Sequence, residues 1–235
     1  MATLRVLYED NHLIIVNKRS GDITQADATK DRTLGDYVKD YIKNKYNKPG
    51  AVFLGVVHRL DRPVSGVNIF ARTSKALERM NKAFHDREVE KVYWAITNQR
   101  PQELEDTLVH HLRKDENKNF VHAHEKPSAN TKEAILEYRL IASIGSQHLL
   151  EVRPKTGRQH QIRVQLAKIG CVIKGDKKYG QTDFTEDASI YLHCRQMSFN
   201  HPVTKKRLTI TALTPDDSVW NLFNHIQKNH SFDND

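Results

Sequence analysis

Three short stretches of this chain concentrate residue types able to do acid–base, nucleophilic or anion-binding chemistry. The first is His58-Arg59-Leu60-Asp61-Arg62-Pro63-Val64-Ser65-Gly66. Asp61 stands between two arginines and close to a histidine, and neighbouring cations favour the ionised form of a carboxylate. An ionised carboxylate on a rigid turn can act as a nucleophile or general base. The same residue types also occur as structural ion pairs around a charged turn. The second stretch is Lys91-Val92-Tyr93-Trp94-Ala95. Strand alternation puts Lys91, Tyr93 and Ala95 on one face, where Tyr93 is either ordinary core or a ring that stacks on a base. The third runs from Arg153 to Arg163. It sets Arg158, His160 and Arg163 near the start of a helix, where backbone N–H groups attract anions. A solvated basic helix face would carry the same residues.

The elements that must position these stretches follow from patterning. The apolar runs Val52-Val57 and Val67-Ala71 flank the Asp61 segment and read as strand, charged turn, strand, with Pro63 and Gly66 as punctuation. Leu4-Tyr8 and Leu13-Val16 read as strands across a polar turn. Leu34, Tyr37, Val38, Tyr41 and Ile42 recur at helical spacing, with Thr33 and Asp36 as the N-terminal cap. Ser74 is expected to cap a helix that buries Leu77, Met80 and Phe84. Residues 89–97 are strand-forming by their β-branched and aromatic content. Residues 101–130 are polar and histidine-rich, and read as hairpins and loops. Glu133-Leu140 and His148-Val152 read as an antiparallel pair. A helix is expected after Gly157, with Arg163 about a turn and a half inside it. Two strands then flank Asn200-His201-Pro202, and a last amphipathic helix carries Val219, Leu222, Phe223 and Ile226, ahead of a polar tail expected to fray from about residue 230. Strands outnumber helices and form hairpins, which predicts an α+β fold, a largely antiparallel mixed sheet with flanking helices.

The chain has 235 residues, 38% apolar and 28% charged, which suits a globular protein with a sizeable core. Its net charge of +8 favours a polyanionic partner, most simply nucleic acid, although a basic surface that only keeps the chain in solution would carry the same charge. Cys171 and Cys194 are the only cysteines, and their spacing is no disulfide framework. No apolar run reaches transmembrane length, and Met1-Ala2-Thr3 leads directly into strand-like sequence. The expectation is therefore a cytoplasmic protein with no membrane partner. No internal repeat or low-complexity linker is visible, so a single domain over 1–235 is the simpler count.

Taken together and in order, the three stretches resemble the three motifs of the RluA-type pseudouridine synthases. Lys174-Gly175-Asp176 with Tyr179-Gly180, and Leu192-His193 leading to Asn200-His201-Pro202, also look like that family. The resemblance spans about Leu4 to Leu213. Three motifs in order are far more specific than any one of them. It implies the pseudouridine synthase catalytic fold and an enzyme that isomerises uridine to pseudouridine in structured RNA, a ribosomal or transfer RNA stem-loop. No metal and no cofactor are implied, and a monomer is expected. By motif position Asp61 would be the catalytic aspartate, Tyr93 would stack on the target base and help move a proton, and Arg163 would pair with Asp61. Arg59 would enter the RNA in place of the flipped nucleotide. The candidate RNA contacts are His58, Arg59, Arg62, Lys91, Lys155, Arg158, His160, Lys174 and Lys178, with Lys168 and Lys177 extending a track for phosphates. The family usually has Thr where this chain has Val64, and often His where it has Gln165. The small RNA-binding domain that precedes the catalytic domain in many members is expected to be absent.

Two other functions compete with this one. A non-catalytic RNA-binding protein on this fold would explain the charge, but gives no reason for Asp61, Tyr93 and Arg163 to occur together. A metal-dependent enzyme would draw on His110, His111, His122 and His124, which have no established ligand spacing and no supporting cysteine pair.

Overall fold

A computed structural model describes residues 4–25, 31–115, 118–180 and 189–229. In chain order the elements are β1 (Val6–Glu9), β2 (Leu13–Lys18), α1 (Leu34–Lys45), β3 (Gly55–Val56), β4 (Ser65–Ala71), α2 (Ser74–His85) and β5 (Glu90–Thr97). They continue as β6 (Glu105–Asp115), β7 (Phe120–His124), β8 (Lys132–Ile144), β9 (Gln147–Pro154) and α3 (Gln161–Lys168), then a single 3₁₀ turn at Lys177–Tyr179. The last are β10 (Leu192–Asn200), β11 (Arg207–Thr211), α4 (Ser218–Asn221) and α5 (Asn224–Asn229). This is the expected α+β composition. The chain forms two compact units, Met1–Lys91 with Cys194–Ala212, and Val92–His193 with Leu213–Asp235.

In the first unit the strand order is β1-β2-β4-β10, with β3 paired to β4 and β11 to β10. The β1–β2, β2–β4, β3–β4 and β10–β11 pairings are antiparallel. α1 packs its apolar stripe, Leu34, Val38 and Ile42, against Ile14, Val16 and Phe70 of the sheet. Its start is fixed reciprocally: Thr33 Oγ1 accepts from the Asp36 N–H at 3.1 Å, and Asp36 Oδ2 accepts from the Thr33 N–H at 3.0 Å. Tyr37, expected on the buried stripe, is instead exposed and stacks with Arg32. The N-cap of α2 is Thr73, which accepts from the Ala76 N–H, rather than Ser74, which is the first helical residue. Gly66 has φ +116°, and a Cβ there would lie 2.2 Å from the Cys194 carbonyl oxygen, so β4 and β10 approach closely only because this residue is glycine.

In the second unit the order is β5-β9-β8-β6-β7, every pairing antiparallel. The polar stretch from 101 folds into longer strands than its composition suggests, because Leu108, His110 and Leu112 alternate inward along β6. The register Tyr93↔Val152↔Tyr138↔Asp106 puts Tyr93 on the face that also carries Leu108, His110, Leu112 and Ala134. α3 packs on that face through Val164. The opposite face buries Trp94, Ile96 and Leu149 against Trp220, Phe223 and Ile226. The expected terminal helix is in fact two short ones, and Leu222 between them is exposed. The expected fraying from about residue 230 lies outside the described residues.

Candidate active site

The Asp61 turn is built by capture of its carbonyl groups. Five successive carbonyls, Leu60 to Val64, all accept from residues 18–24. Lys18 Nζ donates to the carbonyls of Val64 at 2.7 Å, Arg62 at 3.1 Å and Asp61 at 3.3 Å, and also to its neighbour Arg19 at 3.0 Å. Ser20 Oγ donates to Pro63 at 2.9 Å, the Gly21 N–H to Arg62 at 2.9 Å, and Thr24 Oγ1 to Leu60 at 3.3 Å. The turn closes on itself where the Val64 N–H meets the Asp61 carbonyl at 3.0 Å. Lys18 reaches this position because it ends β2 opposite Gly66 in the ladder. It is wholly buried, and burial pulls its amine down to about 7 against the pull of Asp22 and Asp61. The four carbonyls favour the ammonium form in turn.

His58 ties the start of this segment to β4 and α2. Its Nε2 accepts from the Ile69 N–H at 3.1 Å, and its ring stacks on Phe84 with centroids 5.1 Å apart. Burial pushes its pKa down to about 3, helped by the charge of Lys91, so the ring is neutral. Lys91 is half-buried, and burial lowers its pKa with Arg87 adding to the effect. Arg59 and Arg62 are exposed, and their guanidinium groups reach Gln25 Oε1 at 3.3 Å and Asp31 Oδ2 at 3.0 Å. Asp61 itself is half-buried.

In the second unit, Tyr93 is half-buried on the α3 face of the sheet. α3 begins later than the sequence suggests. His160 adopts the left-handed conformation, φ 51°, and caps the helix that starts at Gln161, so Arg163 lies in the first turn rather than a turn and a half inside. Arg163 is buried and grips Asp176 side-on, Nε to Oδ2 at 2.7 Å and Nη2 to Oδ1 at 2.8 Å. Its guanidinium carbon lies 5.2 Å from the centroid of the Tyr179 ring. The Tyr179 hydroxyl bonds His160 Nδ1 at 2.8 Å and accepts from the Val121 N–H at 3.1 Å. His160, a candidate RNA contact by sequence, is only 8% exposed and sits within this network.

The remaining basic residues divide by exposure. Lys155 and Arg158 are exposed, pairing with Glu137 at 2.7 Å and with the Glu133 carbonyl at 3.1 Å. Lys168, Lys177 and Lys178 are exposed, and Lys174 is half-buried. Both positions that depart from the motifs are buried. The Val64 carbonyl takes Lys18, and Gln165 Nε2 lies 3.2 Å from the Leu108 carbonyl, 3.1 Å from His110 Nδ1 and 3.1 Å from the Ala134 carbonyl, tying α3 to β6 and β8. His110 faces α3 while His111 takes the other side of β6, and among the described residues no three His, Cys, Asp or Glu side chains gather to hold a metal. Sequence reasoning gave no role to Lys18, Asp176 or Tyr179. The signals available were a lysine closing a strand that opens with four apolar residues, Leu13 to Val16, and the aspartate and tyrosine near Lys174.

A family profile described as RNA pseudouridylate synthase matches residues 12–168, a span that holds Asp61, Tyr93 and Arg163. The chain belongs to the RNA pseudouridylate synthase family, and is thus an isomerase by class. It is 29% identical over 227 residues to ribosomal large subunit pseudouridine synthase D of Zymomonas mobilis, covering 91% of this chain and 70% of that protein. It is 31% identical over 212 residues to ribosomal large subunit pseudouridine synthase C of Rickettsia typhi, covering 89% and 68%. Among solved structures, human RNA pseudouridylate synthase domain containing 4 superposes with a TM-score of 0.77 at 23% identity, over 93% of this chain and 91% of that one. Human RNA pseudouridylate synthase domain containing 1 gives 0.71 at 22% identity, over 91% and 84%, and these two likenesses concern the fold.

Proposed function

We propose that this chain converts uridine to pseudouridine in ribosomal RNA, with Asp61 as the reacting carboxylate. The observation that carries the reading is the family match across residues 12–168, joined by relatives whose names specify the large ribosomal subunit. The reaction breaks N1–C1′, turns the uracil and forms C5–C1′. C5 gives up a proton and N1 gains one, so composition is unchanged and no redox partner or cofactor is required. A stacked uridine must first be flipped out, at a cost of a few kcal/mol. A carboxylate held near C1′ stabilises oxocarbenium-like charge as glycosidase carboxylates do. The clamped turn supports this part for Asp61, because a carboxylate whose backbone cannot drift costs little reorganisation when charge develops. Tyr93 is assigned the ring that stacks on the uracil, and Arg163 the cation that the carboxylate requires. Arg59 fills the space left in the RNA, and the exposed cations Arg62, Lys155, Arg158, Lys168, Lys177 and Lys178 meet phosphates. The enzyme works in the cytoplasm as a monomer, without metal.

The test is pseudouridine mapping after incubation of the purified protein with unmodified ribosomal RNA and transfer RNA. New pseudouridine is expected in ribosomal RNA, unchanged by chelator and abolished by Asp61→Asn, which keeps size but removes charge. Modification of transfer RNA alone would move the substrate class. Full turnover by Asp61→Asn would sink the carboxylate assignment.

A further inference from the structure

We propose that Asp176 and Tyr179 are positioning residues for catalysis, fixing the plane and direction of the Arg163 guanidinium. The inference rests on the catalytic part assigned to Arg163 above and extends it to two residues that have no role in that reading. Three observations converge. The Asp176 carboxylate, 1% exposed, takes Nε and Nη2 of Arg163 in parallel at 2.7 and 2.8 Å. A side-on grip of this kind sets the guanidinium's rotation as well as its location, which a single contact does not. The Tyr179 ring lies against the same guanidinium, 5.2 Å from centroid to carbon, and so limits tilt out of that plane. The Tyr179 hydroxyl then reaches His160, the residue whose left-handed backbone starts α3. One tyrosine therefore ties the first turn of the helix to the arginine it carries. A guanidinium has five N–H donors and this grip takes two along one edge, so that edge orients the fork.

The geometry separates the two residues' duties. Asp176 supplies charge and rotation, and Tyr179 supplies tilt and the anchor to His160. Asp176→Asn would keep the volume but present N–H groups to one of the two arginine donors, releasing the plane. Tyr179→Phe would keep the ring under Arg163 but lose the bonds to His160 and to the Val121 N–H.

The experiment is a double-mutant cycle on Arg163→Ala and Asp176→Asn, with single-turnover rates measured at saturating unmodified ribosomal RNA alongside RNA affinity and melting temperature. Asp176→Asn is expected to slow the single-turnover rate by about 10–100-fold, the scale of an ångström-level misplacement of a catalytic group. RNA affinity should stay within about threefold of wild type, since phosphate contacts are untouched. On the Arg163→Ala background the same substitution should slow the rate no further. Asp176→Glu, which restores charge, should recover part of the loss. Should Asp176→Asn melt below the assay temperature, Tyr179→Phe carries the test, with an expected rate loss at unchanged affinity. A wild-type single-turnover rate for the folded Asp176→Asn variant, or for Tyr179→Phe where that variant carries the test, or an equal slowing by Asp176→Asn on both backgrounds, would overturn the inference while leaving the assignment of Arg163 standing. A wild-type rate for Arg163→Ala itself would overturn that assignment and the inference together.

Discussion

The ammonium of Lys18 lies 2.7 Å from the carbonyl oxygen of Val64, at the end of the turn that presents Asp61. Together with Ser20, Gly21 and Thr24 it satisfies every carbonyl from Leu60 to Val64. A turn of five residues would otherwise leave several of these acceptors to water. Here one buried cation gathers three of them and holds the backbone on which the candidate carboxylate rides.

Removing that cation should therefore loosen the turn. Lys18→Met keeps the apolar stem but leaves buried acceptors without a donor, each worth about 1–3 kcal/mol when unsatisfied. At saturating RNA the expected rate loss is at least about tenfold. The pH dependence has a defined sign. Burial brings Lys18 to about 7 from its ordinary 10.5, so between those values the unfolded chain holds the proton more fully than the folded one. Wild-type stability relative to Lys18→Met should rise with pH across that window, by up to about 2–3 kcal/mol between pH 7 and 9. The rate should move the opposite way, because a neutral amine has two donors for four carbonyls. Urea titrations and single-turnover rates at pH 7, 8 and 9 check both. A flat stability difference would mean that Lys18 does not titrate there.

The three motifs and most elements were legible because they are local. Thr33 and Asp36 announce α1, and the alternation around Tyr93 announces β5. What sequence missed is what depends on distant partners. Lys18, to which the sequence assigns no role, gains one only when β4 places Gly66 opposite it and the turn's carbonyls around its ammonium. The sequence offers His58 as a candidate RNA contact and gives no sign of the Ile69 N–H and the Phe84 ring that hold its imidazole. The start of α3 was misplaced because His160 takes a left-handed conformation normally left to glycine or asparagine, held by a tyrosine nineteen residues on. The Asp176 grip on Arg163 crosses thirteen residues and leaves no periodic trace.

Tyr93 separates stacking from proton transfer. Tyr93→Ala should weaken binding of the flipped base by about 1–3 kcal/mol, and Tyr93→Phe should not. If the hydroxyl moves a proton, Tyr93→Phe will bind RNA as wild type does yet turn over slowly. Titration with an RNA carrying the target uridine in a loop, followed by single-turnover rates, reads both. Wild-type behaviour of both variants would leave Tyr93 as part of the sheet face alone.

The exposed cations of the second unit should act as phosphate contacts. RNA affinity is expected to fall steeply with salt. Arg158→Ala should flatten the log–log slope by up to about one unit, and combining it with Lys155→Ala, Lys177→Ala and Lys178→Ala should flatten it further. Filter binding between 50 and 300 mM salt, concentrations in the range where such slopes are read, is the measurement. An unchanged slope in the combined variant would remove this surface from the RNA-binding face. His160, which immediately precedes α3, is a control: because it is buried, its replacement should alter melting temperature more than salt slope.

Arg163 distinguishes catalysis from phosphate binding. Were it a phosphate contact, Arg163→Ala would weaken RNA affinity, and saturating RNA would restore the rate. As a catalytic cation, its loss should cut the single-turnover rate at saturating RNA by at least about a hundredfold while affinity changes little. The substitution also strands the Asp176 carboxylate in the interior, at a cost of about 3–5 kcal/mol in stability. Rates must therefore be compared below the variant's melting temperature, and Arg163→Ala with Asp176→Ala should regain much of the lost stability without regaining rate. Arg163→Lys supplies charge but not the planar fork, so it can satisfy one oxygen of Asp176 but not both. Its rate should lie between wild type and Arg163→Ala. Recovery of the full rate by the stabilised double variant would show that Arg163 matters to folding and not to the reaction.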